Sequence, residues 1–240
     1  MEVAPLPAVG IGLGDDVIKL LTTVATIALL PTAAAAVQLS LAPANIIGSS
    51  GDYQLNNQFA AGSILDQQTG PIDETVQLGY WLNPDNGPAA AFLTVDLGAV
   101  QSLASLTLFN THNAGYNDRG TGNFTITASN AVVDLGGGNF TLSGAVATIV
   151  NGTLTAQAHG TPLVGQGFTA AGSYRYLSFN PISVSVSGTP CCGANVYGLN
   201  ELRVFTTDVG VVPEPEAWAL MLAGFAMIGL AQRRRFTATA

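Results

Sequence analysis

Residues 122–130 read Gly-Asn-Phe-Thr-Ile-Thr-Ala-Ser-Asn, and this stretch decides the fold class. From Phe124 to Ala128, apolar and polar side chains alternate strictly. Successive side chains of a β-strand point to opposite faces of its sheet, so the alternation predicts a strand with one buried face. Asparagine on both sides supplies the turns that end the strand.

Five further strand-like runs lie on either side of this one. Each is rich in β-branched, aromatic or leucine residues and is bounded by glycine, asparagine or serine. The runs are Phe92–Gly98, Ser102–Asn110, Asn139–Gly144, Tyr174–Gly188 and Gly198–Phe205. No helical period of apolar residues appears between residues 37 and 210, so this segment is predicted to be one all-β domain, an antiparallel β-sandwich of the jelly-roll kind.

The composition excludes some classes of function. Charged residues make up only 9% of the 240, and 28 residues are glycine. Between Val37 and Val212 there are three arginines and ten acidic residues, which give this segment a formal charge of −7. An acidic surface repels phosphate backbones, so nucleic acid is not an expected partner, whereas divalent cations and neutral sugars are compatible.

The N-terminal 36 residues have the parts of a secretory signal peptide. Lys19 precedes the uncharged run Leu20–Leu30, and Pro31 and four alanines follow. This run is too short to span a bilayer core of roughly 30 Å, so we expect a signal peptidase to cleave after Ala36. The first sixteen residues carry Glu2, Asp15 and Asp16, which do not suit a positive n-region, and they are interpreted as an untranslated extension upstream of a true start at Val17.

The C-terminal segment, residues 211–236, has three features in a fixed order. Pro213-Glu214-Pro215 comes first, then fifteen uncharged residues from Ala217 to Ala231, then Arg233-Arg234-Arg235. As a helix the uncharged stretch is roughly 22 Å long, enough for a short transmembrane helix whose arginines stay cytoplasmic. A plain membrane anchor is the alternative.

This order of features resembles the PEP-CTERM sorting signal of Gram-negative bacteria. The resemblance implies a membrane processing enzyme of the exosortase type as a partner, which removes the segment after Pro213-Glu214-Pro215. The implied route is transit through the inner membrane and then the cell surface or the extracellular matrix.

The middle of the chain, over roughly residues 50–206, resembles the discoidin, or galactose-binding-like, superfamily. The pieces that carry the resemblance are Asp66, Trp81, Val95–Gly98, Asn117–Gly120, Phe124–Ser129, Tyr174–Leu177 and Gly198–Leu202. The chain departs from the family at Gln67, where glycine commonly follows the aspartate, and it lacks the widely spaced terminal cysteines. The resemblance implies a discoidin-like sandwich that binds carbohydrate.

The same resemblance implies a structural Ca²⁺. Members of the superfamily often hold the ion with an early aspartate, a late glutamate and backbone carbonyls, which places Asp66 and Glu201 as the side-chain ligands. Oxygen ligands of this kind suit a hard cation. The alternative is that both are ordinary solvated carboxylates.

The loop of residues 111–123 holds the other candidate site residues. Tyr116, between Gly115 and Asn117, could stack on a sugar ring, and Arg119 is a second candidate ligand-binding residue. Trp81 is expected in the core instead.

His112 and Asp118, in the same loop, suggest a general base and its partner. No serine or cysteine nucleophile lies in a recognisable motif, so a non-enzymatic surface protein is favoured over the alternative of a secreted sandwich-fold hydrolase.

The two cysteines, Cys191 and Cys192, are adjacent. An oxidising compartment favours pairing, yet Cα atoms about 3.8 Å apart would make a vicinal disulfide strained. Free thiols and intermolecular bonds are the alternatives, and zinc is not expected.

Overall fold

The computed structural model describes residues 36–53, 59–69, 79–84, 90–111, 119–157, 161–185 and 196–207, together with residues 219, 221–223 and 225. Residues Ala35–Asp208 form one compact unit, and the two terminal segments form another. The signal peptide up to residue 35 and the sorting residues 213–215 and 233–235 lie outside the described residues. So do His112, Tyr116, Asp118, Cys191 and Cys192.

The compact unit is all-β, which confirms the predicted fold class. Its described residues form twelve strands: β1 (Ala36–Gln38), β2 (Ile46–Ser49), β3 (Trp81–Leu82), β4 (Leu93–Phe109), β5 (Asn123–Ser129), β6 (Ala131–Asp134), β7 (Phe140–Ser143), β8 (Ala147–Thr153), β9 (Gly165–Thr169), β10 (Ser173–Pro181), β11 (Gly198–Leu199) and β12 (Glu201–Thr207). Short 3₁₀ helices occupy Pro43–Asn45 and Ala61–Leu65. Every strand pairing described is antiparallel.

The long strand β4 joins the two layers of the sandwich. Its first half pairs with β2 and β10, and β10 continues through β5 to β8. Its second half pairs with β12 and β9, and β12 continues to β1. One strand therefore belongs to both sheets, and the hydrogen-bonded order is β1-β12-β4-β10-β5-β8 with β2 and β9 beside β4.

The prediction of two separate strands across residues 92–110 was wrong. The break was placed at Gly98, which has a φ of +82°, a conformation that glycine adopts without cost. The strand continues through this residue instead of turning back, but its pairing with β10 has a bulge or irregularity between the pairs Asp96–Tyr176 and Gln101–Tyr174. Gly98 therefore redirects β4 from one sheet to the other.

The core fills the space between the two layers. Leu93 and Val95 from the first half of β4 belong to the same buried cluster as Leu106 and Leu108 from the second half. Aromatic rings connect the layers, because Phe124 on β5 meets Phe168 on β9 edge to face at 5.1 Å. Trp81 is fully buried, as expected, and its ring lies 6.4 Å from that of Phe179.

Two other predicted strands are present, one of them shorter than predicted and the other in a hairpin. The run predicted to reach Gly188 ends as β10 at Pro181, since proline cannot donate to a ladder. The run at residues 139–144 is present as β7, which among the described strands pairs with β6 alone, in a hairpin. A Cβ at Gly48 would overlap the Phe140 carbonyl, so this hairpin approaches β2 closely.

The part of the chain that the structure describes contains no helix long and apolar enough to cross a membrane. Residues 219, 221–223 and 225 are helical.

Candidate functional site

The two predicted metal ligands lie on neighbouring elements. Asp66 ends the 3₁₀ helix Ala61–Leu65, and Glu201 begins β12, where it pairs with Phe109. The residue after Asp66 contacts both carboxylate oxygens of Glu201: the Gln67 backbone N–H donates to Oε2 at 3.2 Å and Nε2 donates to Oε1 at 3.0 Å. The fold therefore brings the early loop against the last strand, although 134 residues separate Gln67 from Glu201.

Burial dominates the electrostatics of this pair. The Glu201 side chain is fully buried, and this burial, reinforced by the nearby Asp66 charge, raises the pKa of Glu201 to about 8. The Arg203 guanidinium, with Nε 3.8 Å from Oε1, opposes the rise without cancelling it. Burial also raises the pKa of Asp66, whose Oδ1 accepts a hydrogen bond from the Gln68 N–H at 2.8 Å.

Stability should therefore fall with rising pH in the metal-free protein. Glu201 has a pKa of about 8 in the folded state against 4.5 as its ordinary value, so the folded chain keeps a proton that the unfolded chain releases. The free energy of unfolding begins to fall once the pH exceeds the pKa of the unfolded state. The slope approaches ~1.4 kcal/mol per pH unit for one proton, and the fall ends once the pH exceeds the pKa of the folded state. Asp66 shifts in the same direction.

Urea unfolding in EDTA between pH 5 and pH 8 measures this slope. Glu201→Gln, which mimics the protonated acid, should flatten it. An equal slope in the variant would contradict the assignment to Glu201.

The donor set at this position is compatible with a hard cation. Beside the two carboxylates, Asn200 is buried, and its Oδ1 accepts no hydrogen bond in the described structure, while its Nδ2 donates to the Gly79 carbonyl at 2.6 Å. Gly79 also borders the Asp66 carboxylate, because a Cβ placed on Gly79 would lie 3.4 Å from Asp66 Oδ2. Among the described residues no three His, Cys, Asp or Glu side chains cluster, so an ion here would also need amide and backbone oxygens.

A second group of residues forms an aromatic cluster, made of Tyr53, Phe59, Tyr80 and Arg119. The Tyr53 and Phe59 ring centroids are 5.6 Å apart, and those of Phe59 and Tyr80 are 5.1 Å apart. The Arg119 guanidinium lies 4.7 Å from the Tyr53 ring centroid, and Arg119 is only 7% exposed. The structure thus places Arg119 in a stack on Tyr53, and its role in ligand binding stays a prediction.

Asn110 organises the chain next to this cluster, and its role was not predicted. Its Nδ2 donates to the carbonyls of Thr121 and Thr155, both at 2.9 Å, and lies 3.3 Å from Ser185 Oγ. Its Oδ1 accepts from the N–H groups of Thr111 and Thr121. One fully buried amide therefore fixes the end of β4, the start of β5 and two connections.

Two stretches that suggested the discoidin resemblance are joined by an ion pair. Arg175 on β10 donates from Nε and Nη2 to the two oxygens of Asp96 on β4, at 3.0 and 2.9 Å. The hydrogen bond from Arg175 holds the pKa of Asp96 below its ordinary value. This pair links the neighbouring strands β4 and β10, and neither of its residues belongs to the aromatic cluster.

Comparison with known proteins identifies the C-terminal segment. Residues 211–235 match the PEP-CTERM protein-sorting motif. The motif indicates an exported protein that is sorted to the cell surface. No curated protein sequence matches the chain.

Solved structures similar to the chain include carbohydrate-binding domains. The family 32 CBM of C. perfringens NanJ in complex with galactose is 13% identical, with a TM-score of 0.46 over 71% of this chain and 99% of that one. Chitosan-binding module 1 of a Paenibacillus sp. IK-5 chitosanase/glucanase is 19% identical, with a TM-score of 0.44 over 70% and 98%. A fucolectin from striped bass (Morone saxatilis) serum is 15% identical, with a TM-score of 0.45 over 71% and 49%.

Proposed function

We propose that this chain is a surface or matrix protein of a Gram-negative bacterium, exported through a signal peptide and processed at its C-terminal tail by an exosortase-type enzyme. The single observation that carries the proposal is the PEP-CTERM motif at residues 211–235. The apolar stretch after Pro213-Glu214-Pro215 holds the precursor in the inner membrane until the tail is removed, and the three arginines keep its end cytoplasmic.

We further propose that the β-sandwich is a non-catalytic carbohydrate-binding module. The support within the chain is its low charge density and Tyr53, the partly exposed ring of an aromatic cluster whose Phe59 and Tyr80 are buried, with Arg119 stacked on it. Aromatic faces pack against the apolar C–H surfaces of sugars, and an arginine supplies hydrogen-bond donors to hydroxyl groups. Tyr53, Arg119 and the predicted Tyr116 are the residues assigned to this role.

A structural Ca²⁺ completes the proposed domain. Asp66 and Glu201 would supply the charged oxygens, with Asn200 Oδ1 and backbone carbonyls as neutral ones. The ion would take the place of the proton that Glu201 keeps below its pKa of about 8, and it would compensate the negative charges of both carboxylates next to the last strand.

A glycan array tests the carbohydrate assignment. The fragment of residues 37–212 should bind at least one class of glycan, with neutral galactosides and cationic chitosan oligosaccharides as first probes because these are the ligands named for two structural neighbours. Arg119→Ala should weaken binding about tenfold or more, since it removes a charged donor. Arg119→Lys keeps the positive charge and a long aliphatic stem but loses the planar set of guanidinium N–H donors, so it separates the loss of these donors from the loss of packing.

Arg175→Ala is the matched control, because it removes an arginine that pairs with Asp96 on the sheet. A folded fragment that binds no glycan would leave the domain a structural role instead.

A further inference from the structure

Gln67 covers the Glu201 carboxylate. Gln67 is itself an exposed residue, whereas Glu201 beneath it is fully buried. Both Glu201 oxygens accept hydrogen bonds from Gln67, one from its backbone N–H and one from its side-chain amide. The amide of Gln67 therefore separates a buried carboxylate from solvent while it satisfies that carboxylate.

The backbone of Gln67 is held in an unusual conformation. Its φ is +64°, and no other non-glycine residue in the described part of the chain has a positive φ. A side chain in this left-handed region carries a conformational cost that glycine avoids. The two hydrogen bonds that the Gln67 side chain makes, one of them to a carboxylate, contribute more than that cost.

The outer end of the same amide is also occupied. Gln67 Oε1 accepts a hydrogen bond from Gln38 Nε2 at 2.8 Å, and Gln38 lies on β1, opposite Phe205 of β12. Because Oε1 is held by Gln38, the Nε2 end of the amide points to Glu201. The first strand, the early loop and the last strand therefore meet through one neutral side chain.

We infer that Gln67 is a neutral amide clamp that closes the Glu201 centre in the metal-free protein and competes with a cation for it. A cation needs oxygen lone pairs directed at it, whereas the clamp presents N–H donors to both Glu201 oxygens. A divalent ion can use Glu201 fully only when the Gln67 side chain has moved away. Gln67 thus limits the affinity of this site for the ion. The competition rests on the proposed calcium site, but the clamp itself does not.

The experiment compares two substitutions that tolerate the left-handed backbone. Gln67→Gly removes the amide, and Gln67→Asn keeps an amide too short to reach both Glu201 and Gln38. Gln68→Ala is the control, since it alters the neighbouring exposed glutamine but keeps the N–H that Asp66 accepts. The full chain in detergent micelles is stripped with EDTA, titrated with CaCl₂ in a calorimeter, and unfolded with urea without metal.

The clamp predicts opposite effects in the two measurements. Without metal, Gln67→Gly and Gln67→Asn should both unfold at lower urea concentration than the parent, and Gln68→Ala should not. With metal, Gln67→Gly should bind Ca²⁺ about tenfold more tightly than the parent, the equivalent of one hydrogen bond to a charged group.

The outcomes separate the clamp from the proposed calcium role. Weaker Ca²⁺ binding by Gln67→Gly would overturn the inference, because Gln67 would then assist the ion. Binding by Gln67→Gly but not by the parent would uphold the clamp and remove the calcium role of the natural chain. If neither binds, the calcium role falls and the urea midpoints decide: unchanged midpoints refute the clamp, and lowered ones support it.

Discussion

Replacing Pro213-Glu214-Pro215 with three alanines should abolish removal of the C-terminal tail and leave the chain in the membrane. The two prolines fix φ and lack N–H groups, so the sequence predicts a segment that is not helical just before the apolar stretch. Alanines in their place favour continuation of that helix, which would hide the segment that the enzyme reads. Translocation, which we propose to depend on the N-terminal signal, should be unaffected.

Intact-mass spectrometry and immunoblots of membrane and surface fractions measure this effect. The variant should appear as a heavier, membrane-retained form, whereas the parent chain appears without its tail. Thr237→Ala combined with Thr239→Ala is the matched control, because both positions lie beyond residues 211–235. Normal processing of the triple-alanine variant would refute the sorting mechanism.

Removing Ca²⁺ should lower the melting temperature of the sandwich by about 5–10 °C. A ligand that binds only the folded state stabilises it by roughly 2.7 kcal/mol at a hundredfold excess over Kd. For a domain of this size, that free energy corresponds to a shift of several degrees. The proposed ion would join the loop after Ala61–Leu65 to β12, so its removal should loosen contacts between distant parts of the chain.

Thermal melts followed by the fluorescence of buried Trp81 test this expectation in the 37–212 fragment. EDTA should lower the midpoint, Ca²⁺ should restore it, and Asp66→Ala should make the protein indifferent to both. Asp134→Asn, a change to an exposed carboxylate on the β6 hairpin, should leave the response intact. A midpoint that ignores EDTA would eliminate the structural ion.

The sequence predicted strands well where side-chain alternation was the signal. The Phe124–Ala128 pattern became β5, with Phe124, Ile126 and Ala128 fully buried. Alternation says nothing about whether a glycine ends a strand or bends it, so Gly98 was misread and β4 was divided. Short edge strands such as β1 and β2 were missed because a few residues show no period.

The candidate site was predicted in part. Family resemblance suggested Asp66 and Glu201, and the fold does bring the early loop onto β12. Gln67 was noticed only as a departure from glycine, because its contact with Glu201 spans 134 residues of sequence. Asn110 was read as the end of a strand for the same reason: its partners at Thr155 and Ser185 are 45 and 75 residues away.

The position of β12 has a mechanical consequence for a protein tethered at its C-terminal end. Tension applied to such a tether enters the domain at Thr207, the last residue of β12. This strand lies between β1 and β4 and is antiparallel to both, and after cleavage behind Ala36 the pairs Val37–Thr206 and Gln38–Phe205 remain on the β1 side. A pull along the strand is perpendicular to its hydrogen bonds, so both ladders share the load in shear instead of opening one bond at a time. A tether attached at this end would therefore load a strand that is hydrogen-bonded on both sides.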